Sequence, residues 1–256
     1  MKSIFFFLTF RALYPIRDMK SYFIFRAIEP LLHYLFFLLI GMSILGKEYI
    51  KYIVLGNIFF LVAQTIIMNL IVMFRYERLH GTLILNVAAP TSIFRIVMTR
   101  IVIAVLDSFF VLIISFLYAY FLFGINVSNN LFLIFAFTIM IMFSVSGFAL
   151  ILASFGLILS NVNLVLNLAL GVLLVFSGAN FPIHLLPDFL EKIAMCLPMT
   201  NGLIGLRNIY MGDSFFNNSS YMISELSVGT AYLVISMFIL GIMEKLSRKQ
   251  STLFRE

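Results

Sequence analysis

The sequence predicts an all-α integral membrane protein with six transmembrane helices, and three observations carry that reading. Of its 256 residues 62% are hydrophobic and only 11% charged, with a mean hydropathy of +1.10, whereas a soluble domain needs far more charge to face water. Several apolar runs exceed the roughly 18 residues needed to cross a bilayer core. The basic residues flank those runs instead of gathering in a patch, which is where membrane topology puts them. The net charge of +6 therefore does not point to nucleic acid. Segments between the runs are each under about 45 residues, too short for a sizeable soluble core, so residues 1–256 read as a single transmembrane domain.

Residues 2–20 begin like a signal peptide, but Arg11 interrupts the apolar run and no small-residue cleavage site follows. Ile4, Leu8, Ala12, Ile16 and Met19 share one helical face, with Lys2, Thr9, Arg17 and Lys20 opposite. That pattern suits an amphipathic helix lying in the membrane interface; the alternative is the front end of the first span. The spans follow at 24–45, 52–73, 97–122, 131–158, 164–178 and 222–243. Pro30, between Glu29 and His33, fits the first turn of a helix, so a cytoplasmic helix would end there and the first span begin. Tyr49, Tyr52, Tyr118, Tyr120, Tyr210 and Tyr221 stand near span ends, as interfacial anchors do.

Orientation follows from charge. Thirteen of the 17 lysines and arginines fall beside the amino-terminal segment, the link after span two and the carboxy-terminal tail. Only Lys47, Lys51, Lys192 and Arg207 fall on the other side. Both termini are thus expected in the cytoplasm, and the chain in a cytoplasmic membrane as a multi-pass protein.

Catalytic and metal chemistry find little support. Gly41 to Glu48, "GMSILGKE", has the glycine and lysine spacing of a phosphate-binding loop. However, Glu48 replaces the magnesium-binding hydroxyl, and a membrane helix replaces the preceding strand. Cys196 is the only cysteine, and His33, His80 and His184 lack ligand spacing. No catalytic residue, metal or cofactor is assigned to the chain.

Two segments and three buried polar residues remain. Residues 74–95 begin as a charged helical continuation with Arg75, Glu77 and Arg78, break at Gly81, and carry a short apolar piece ending at Pro90. This suits either docking against a soluble partner or an ordinary surface loop. Asp107 lies roughly 18 Å inside span three at helical rise, where an ionised carboxylate needs a partner or water. Asn57 and Gln64 share one face of span two and either line an aqueous path or bond a neighbouring helix. Residues 179–221 alternate helix breakers with short helical pieces, "DFLEKIAMCL" and "TNGLIGLRNI". They form either a re-entrant helical pair with its broken backbone buried in protein or a loop on the outer surface.

The stretch "RYERLHGTLILNVAAPTSIFRIVMTRI" resembles the cytoplasmic loop of the type-2 ABC exporter permeases: a charged E-R pair, G-T-L, then a small-residue–Pro–Ser/Thr break. "FSGANFPIHLLPDFLEKIAMCLPMTNGLIGLR" resembles their extracytoplasmic signature, S-G-x-x-F-P, L-P, then L-P-x-T and an arginine. The resemblance implies a homodimer in a bacterial plasma membrane, served by two copies of an ATPase subunit that hold the ATP and Mg2+. It implies coupling through Glu77, Arg78, Gly81 and Thr82. It tilts residues 179–221 towards a re-entrant gate marked by Gly178, Pro182, His184, Pro187, Pro198 and Arg207, with Pro182 and Pro187 ending short helices. Asn57, Gln64 and Asp107 become candidates for the translocation path. Ile84 departs from the acidic residue that many relatives carry after G-T-L. The implied activity is export of an amphipathic drug, antibiotic or peptide, with a lipid-linked glycan less favoured; an ATP-independent secondary transporter or channel is the alternative.

Overall fold

The computed structural model describes residues 19–79, 93–126, 130–155 and 162–250. Helix α1 runs Met19–Leu45 and α2 Ile50–Leu79, joined by a 3-10 turn at Lys47–Tyr49. Helices α3 (Ile93–Phe123), α4 (Leu131–Phe155) and α5 (Val162–Phe176) follow. A 3-10 turn at Ile183–Leu185 leads to α6 (Asp188–Met195), α7 (Thr200–Tyr210) and the long α8 (Phe215–Gln250).

Five of these, α1 to α4 and α8, are long and apolar enough to cross a membrane. The protein is an all-α, multi-span membrane protein. Helix α5 has 15 residues, about 22 Å at helical rise, which is shorter than a bilayer core of about 30 Å.

Helix α2 stands at the centre. It packs against α1, α3, α4 and α5, and 89% of its apolar stretch is buried, against 22% for α1 and for α8. The peripheral helices turn large apolar side chains outward, such as Phe25, Leu32 and Phe36 on α1 and Phe238 on α8, where lipid tails receive them without cost. Helices α4 and α8 form the most extensive pair, and glycine sets their separation. A Cβ on Gly147 would sit 3.0 Å from the Leu233 nitrogen, and one on Gly229 would sit 2.7 Å from the Phe143 ring. Small residues let membrane helices approach this closely, where dispersion rather than a hydrophobic drive holds them. Two α4 serines are satisfied locally: Ser146 donates to the Met142 carbonyl at 2.6 Å and Ser154 to the Leu150 carbonyl at 2.7 Å.

Three expectations change. Pro30 lies inside a continuous α1 and ends no helix. Pro182 and Pro187 do not end short helices but stand at the N-caps of the 183–185 turn and of α6, where a missing N–H costs nothing because that position has no helical acceptor. The last long helix begins at Phe215, two turns before the expected 222, so Glu225 lies deeper inside it. The interfacial helix expected at 2–20 falls, but for its last two residues, outside the described residues.

Candidate functional site

The polar groups of the bundle gather in two networks, with a buried carboxylate cluster apart from both. The first is at the end where α2 begins. After α5 the chain turns on Gly178, whose φ of +76° lies in the left-handed region that glycine tolerates. The turn presses its carbonyls towards α2. Gly56 permits the approach, since a Cβ there would run into the Ala179 oxygen. Tyr52 donates its hydroxyl to the Gly178 carbonyl at 3.1 Å, and Asn57 donates to Asn180 Oδ1 at 3.0 Å.

Helix α7 reaches the same place with Arg207. The buried guanidinium donates to the carbonyls of Gly178 (2.8 Å), Tyr52 (2.9 Å) and Ala179 (3.0 Å), and its carbon lies 3.4 Å from the Tyr52 ring centroid. An arginine guanidinium keeps its charge at neutral pH. A charged donor on three carbonyls and an aromatic face makes a strong, directional clasp.

The opposite end of α7 is held by a carboxylate. Glu225, about 15 Å along α8 at helical rise, is fully buried. It accepts from the backbone nitrogens of Met199 (2.7 Å) and Gly202 (2.9 Å) and from the Ser144 hydroxyl of α4. These are first-turn N–H groups with no helical partner, and the helix dipole favours an anion there. Pro198, buried beside them, leads into Met199, whose φ of 69° makes the tight turn into α7.

The second gathering joins α1, α2 and α3. Asp107 accepts from Arg26 (2.5 Å), Asn69 (2.7 Å) and the Tyr22 hydroxyl. Arg26 also pairs with Glu29 at 3.0 Å, and Gln64 donates to Glu29 at 3.5 Å. Asp107 is thus charge-paired and hydrogen-bonded, as membrane burial demands.

Of the predicted residues, Gly178 and Arg207 meet directly, with Asn57 one bond away through Asn180. His184 is exposed on the 183–185 turn, where it lines a cavity of about 400 Å³ with Pro182, Tyr52 and Arg207. Gln64 and Asp107 share the second network and do not meet Asn57. Glu77 and Arg78 continue the α2 backbone, but their side chains fall outside the described ones, as do Gly81 and Thr82 altogether. Sequence reasoning missed Glu225, Ser144 and Arg26. An ionisable residue in the apolar run "MISELSVGTAYLVI" was the available signal for Glu225. Arg26 counted only as a flanking charge, whereas it is the cation that neutralises Asp107. Tyr52 does more than anchor at the interface, since its hydroxyl and ring both enter the clasp.

A centrally buried helix, a glycine-tight helix pair and a short helical hairpin held at both ends make a multi-pass membrane bundle. The chain belongs to the ABC-2 type transporter family, whose family model matches residues 4–211. No curated protein matches the sequence. The family is one of membrane transport proteins; among the described residues no three His, Cys, Asp or Glu side chains group as metal ligands.

Proposed function

We propose that the chain is the membrane-spanning subunit of an ATP-driven exporter. It carries an amphipathic drug, antibiotic or peptide from the cytoplasm or inner leaflet outward, between two copies of itself, powered by two ATPase subunits. A lipid-linked glycan is the second substrate choice. Both termini are cytoplasmic, and α5 makes the sixth span. The α6–α7 pair is then the re-entrant gate on the outer side, with Gly178, Pro182, His184, Pro187, Pro198 and Arg207 around its mouth. Glu77, Arg78, Gly81 and Thr82 receive the ATPase motion. Asn57, Gln64 and Asp107 lie along the path between, Asp107 holding the helices that frame it.

The observation that carries this reading is the course of α2. One unbroken helix touches the Arg207 clasp near its start, at Tyr52, and ends in the charged turn containing Glu77 and Arg78. The experiment is co-purification with the ATPase encoded beside this chain, followed by ATP turnover in proteoliposomes. Glu77→Lys is expected to cut coupled turnover at least tenfold with the permease still inserted. A permease that binds no ATPase, together with an inert Glu77→Lys, would sink the proposal.

A further inference from the structure

The two anchors of α7 differ in kind. At the Glu225 end the contacts are buried and tight. Gly202 lies so close to α4 that a Cβ would strike Ile141, and a Cβ on Gly205 would strike Phe137 and sit 3.2 Å from the Tyr221 Cβ of α8. Farther along, Asn208 donates to Asn218 Oδ1 of α8 at 2.9 Å. The attachment to α4 and α8 therefore runs the length of α7. Releasing Glu225 would strand two N–H groups and a carboxylate where no water replaces them, and a buried group left unpaired costs its full desolvation.

The face of α7 towards α2 is different. Among the described residues, the hydrogen bonds from α7 to α2 and to residues 177–180 all come from Arg207. Residues 178–180 belong with α2, through Tyr52, Asn57 and the close approach at Gly56. Cavities of about 400 and 560 Å³ flank the clasp, and Tyr49, Tyr52 and Met211 line both. Water in these cavities can take over the partners that a departing guanidinium gives up, so opening there exchanges hydrogen bonds instead of losing them.

We infer that Glu225 is the fixed pin and Arg207 the releasing clasp of the hairpin. Helix α7 travels with α4 and α8, and the mouth parts along the seam between α7 and α2. Glu225 is a positioning residue here, acting through α7. The inference rests on the reading of the hairpin as a gate.

Spin labels test it on the permease–ATPase complex in nanodiscs, with labelled permease diluted in unlabelled. One pair, Tyr49→Cys with Met211→Cys in a Cys196→Ser background, spans the seam. The other, native Cys196 with Thr230→Cys, spans the pinned side, where Tyr232 of α8 donates to the Cys196 carbonyl at 3.1 Å. Trapping with ATP and vanadate is expected to lengthen the first distance by several ångströms and leave the second unchanged. Lengthening of the second, alone or with the first, overturns the assignment of pin and clasp. No change in either, in a complex that hydrolyses ATP, overturns the gate reading itself. A second measurement needs no nucleotide. Glu225→Gln is expected to broaden the resting Cys196–Thr230→Cys distribution, and Arg207→Lys to broaden only the seam pair; the reverse pattern refutes the proposal.

Discussion

At the scale of single residues, the bundle places its few charges where each meets the groups that would otherwise be unsatisfied. Arg207 satisfies the Gly178 and Ala179 carbonyls, which belong to no helix, and adds a bond to the Tyr52 carbonyl in the first turn of α2. Arg207→Met removes the donor of the Ala179 carbonyl and one partner from each of Gly178 and Tyr52, and a cost of about 1–3 kcal/mol is expected, read as faster thermal inactivation in detergent. Arg207→Lys should recover only part of it, because an ammonium lacks the planar fork that spans several acceptors. Glu225 and Ser144 share one hydrogen-bond group, so their substitutions are not independent. A double-mutant cycle of Glu225→Gln and Ser144→Ala is expected to show a coupling of about 0.5–3 kcal/mol, and strict additivity would deny the contact. This is also the scale at which the sequence was least legible. "S-G-x-x-F-P" and the arginine of "NGLIGLR" pointed to one neighbourhood, and Gly178 and Arg207 do meet. Nothing in a linear string pairs Glu225 with Met199, or Arg26 with Asp107 81 positions away, since those contacts exist only once helices pack.

At the scale of elements, hydropathy announced the long helices because a membrane imposes a length that a sequence cannot hide. Boundaries were less legible. Asn217, Asn218, Ser219 and Ser220 fall in the irregular segment expected before the last span, yet they form the first turns of α8. Asn218 succeeds there by bonding back to the Ser214 carbonyl at 3.0 Å while receiving Asn208. Glycine was legible as a helix-packing residue only in general, because which glycines matter depends on what faces them. Gly147→Leu and Gly229→Leu are expected to push α4 and α8 apart at about 1–3 kcal/mol each. Gly171→Leu and Gly241→Leu, at glycines with nothing within 4 Å of an added Cβ, should be silent. Thermal stability in one detergent compares all four, and equal losses would deny the close α4–α8 approach.

For the whole molecule, the predicted orientation is the quantity to measure, because it decides which way the clasp faces. Cys196, the single cysteine, is exposed at the end of α6. An impermeant maleimide is expected to label it, or Lys192→Cys on the exposed side of α6, in intact cells. Labelling only after lysis would invert the topology. The charge asymmetry that supports this orientation was plain in the sequence, since lysine and arginine counts need no packing to be read.

Helix α2 also sets the mechanical character of the protein. Its 30 residues form one rod without an internal proline, about 45 Å from end to end. A rod that long needs no chain of relays. A tilt of about 5° at its charged end would carry Tyr52 on the order of 4 Å, enough to draw its carbonyl out of hydrogen-bond reach of Arg207. Because α1, α3 and α5 also enclose the rod, it cannot swing alone; whatever moves it must shift those neighbours in the same stroke and slide it past α4.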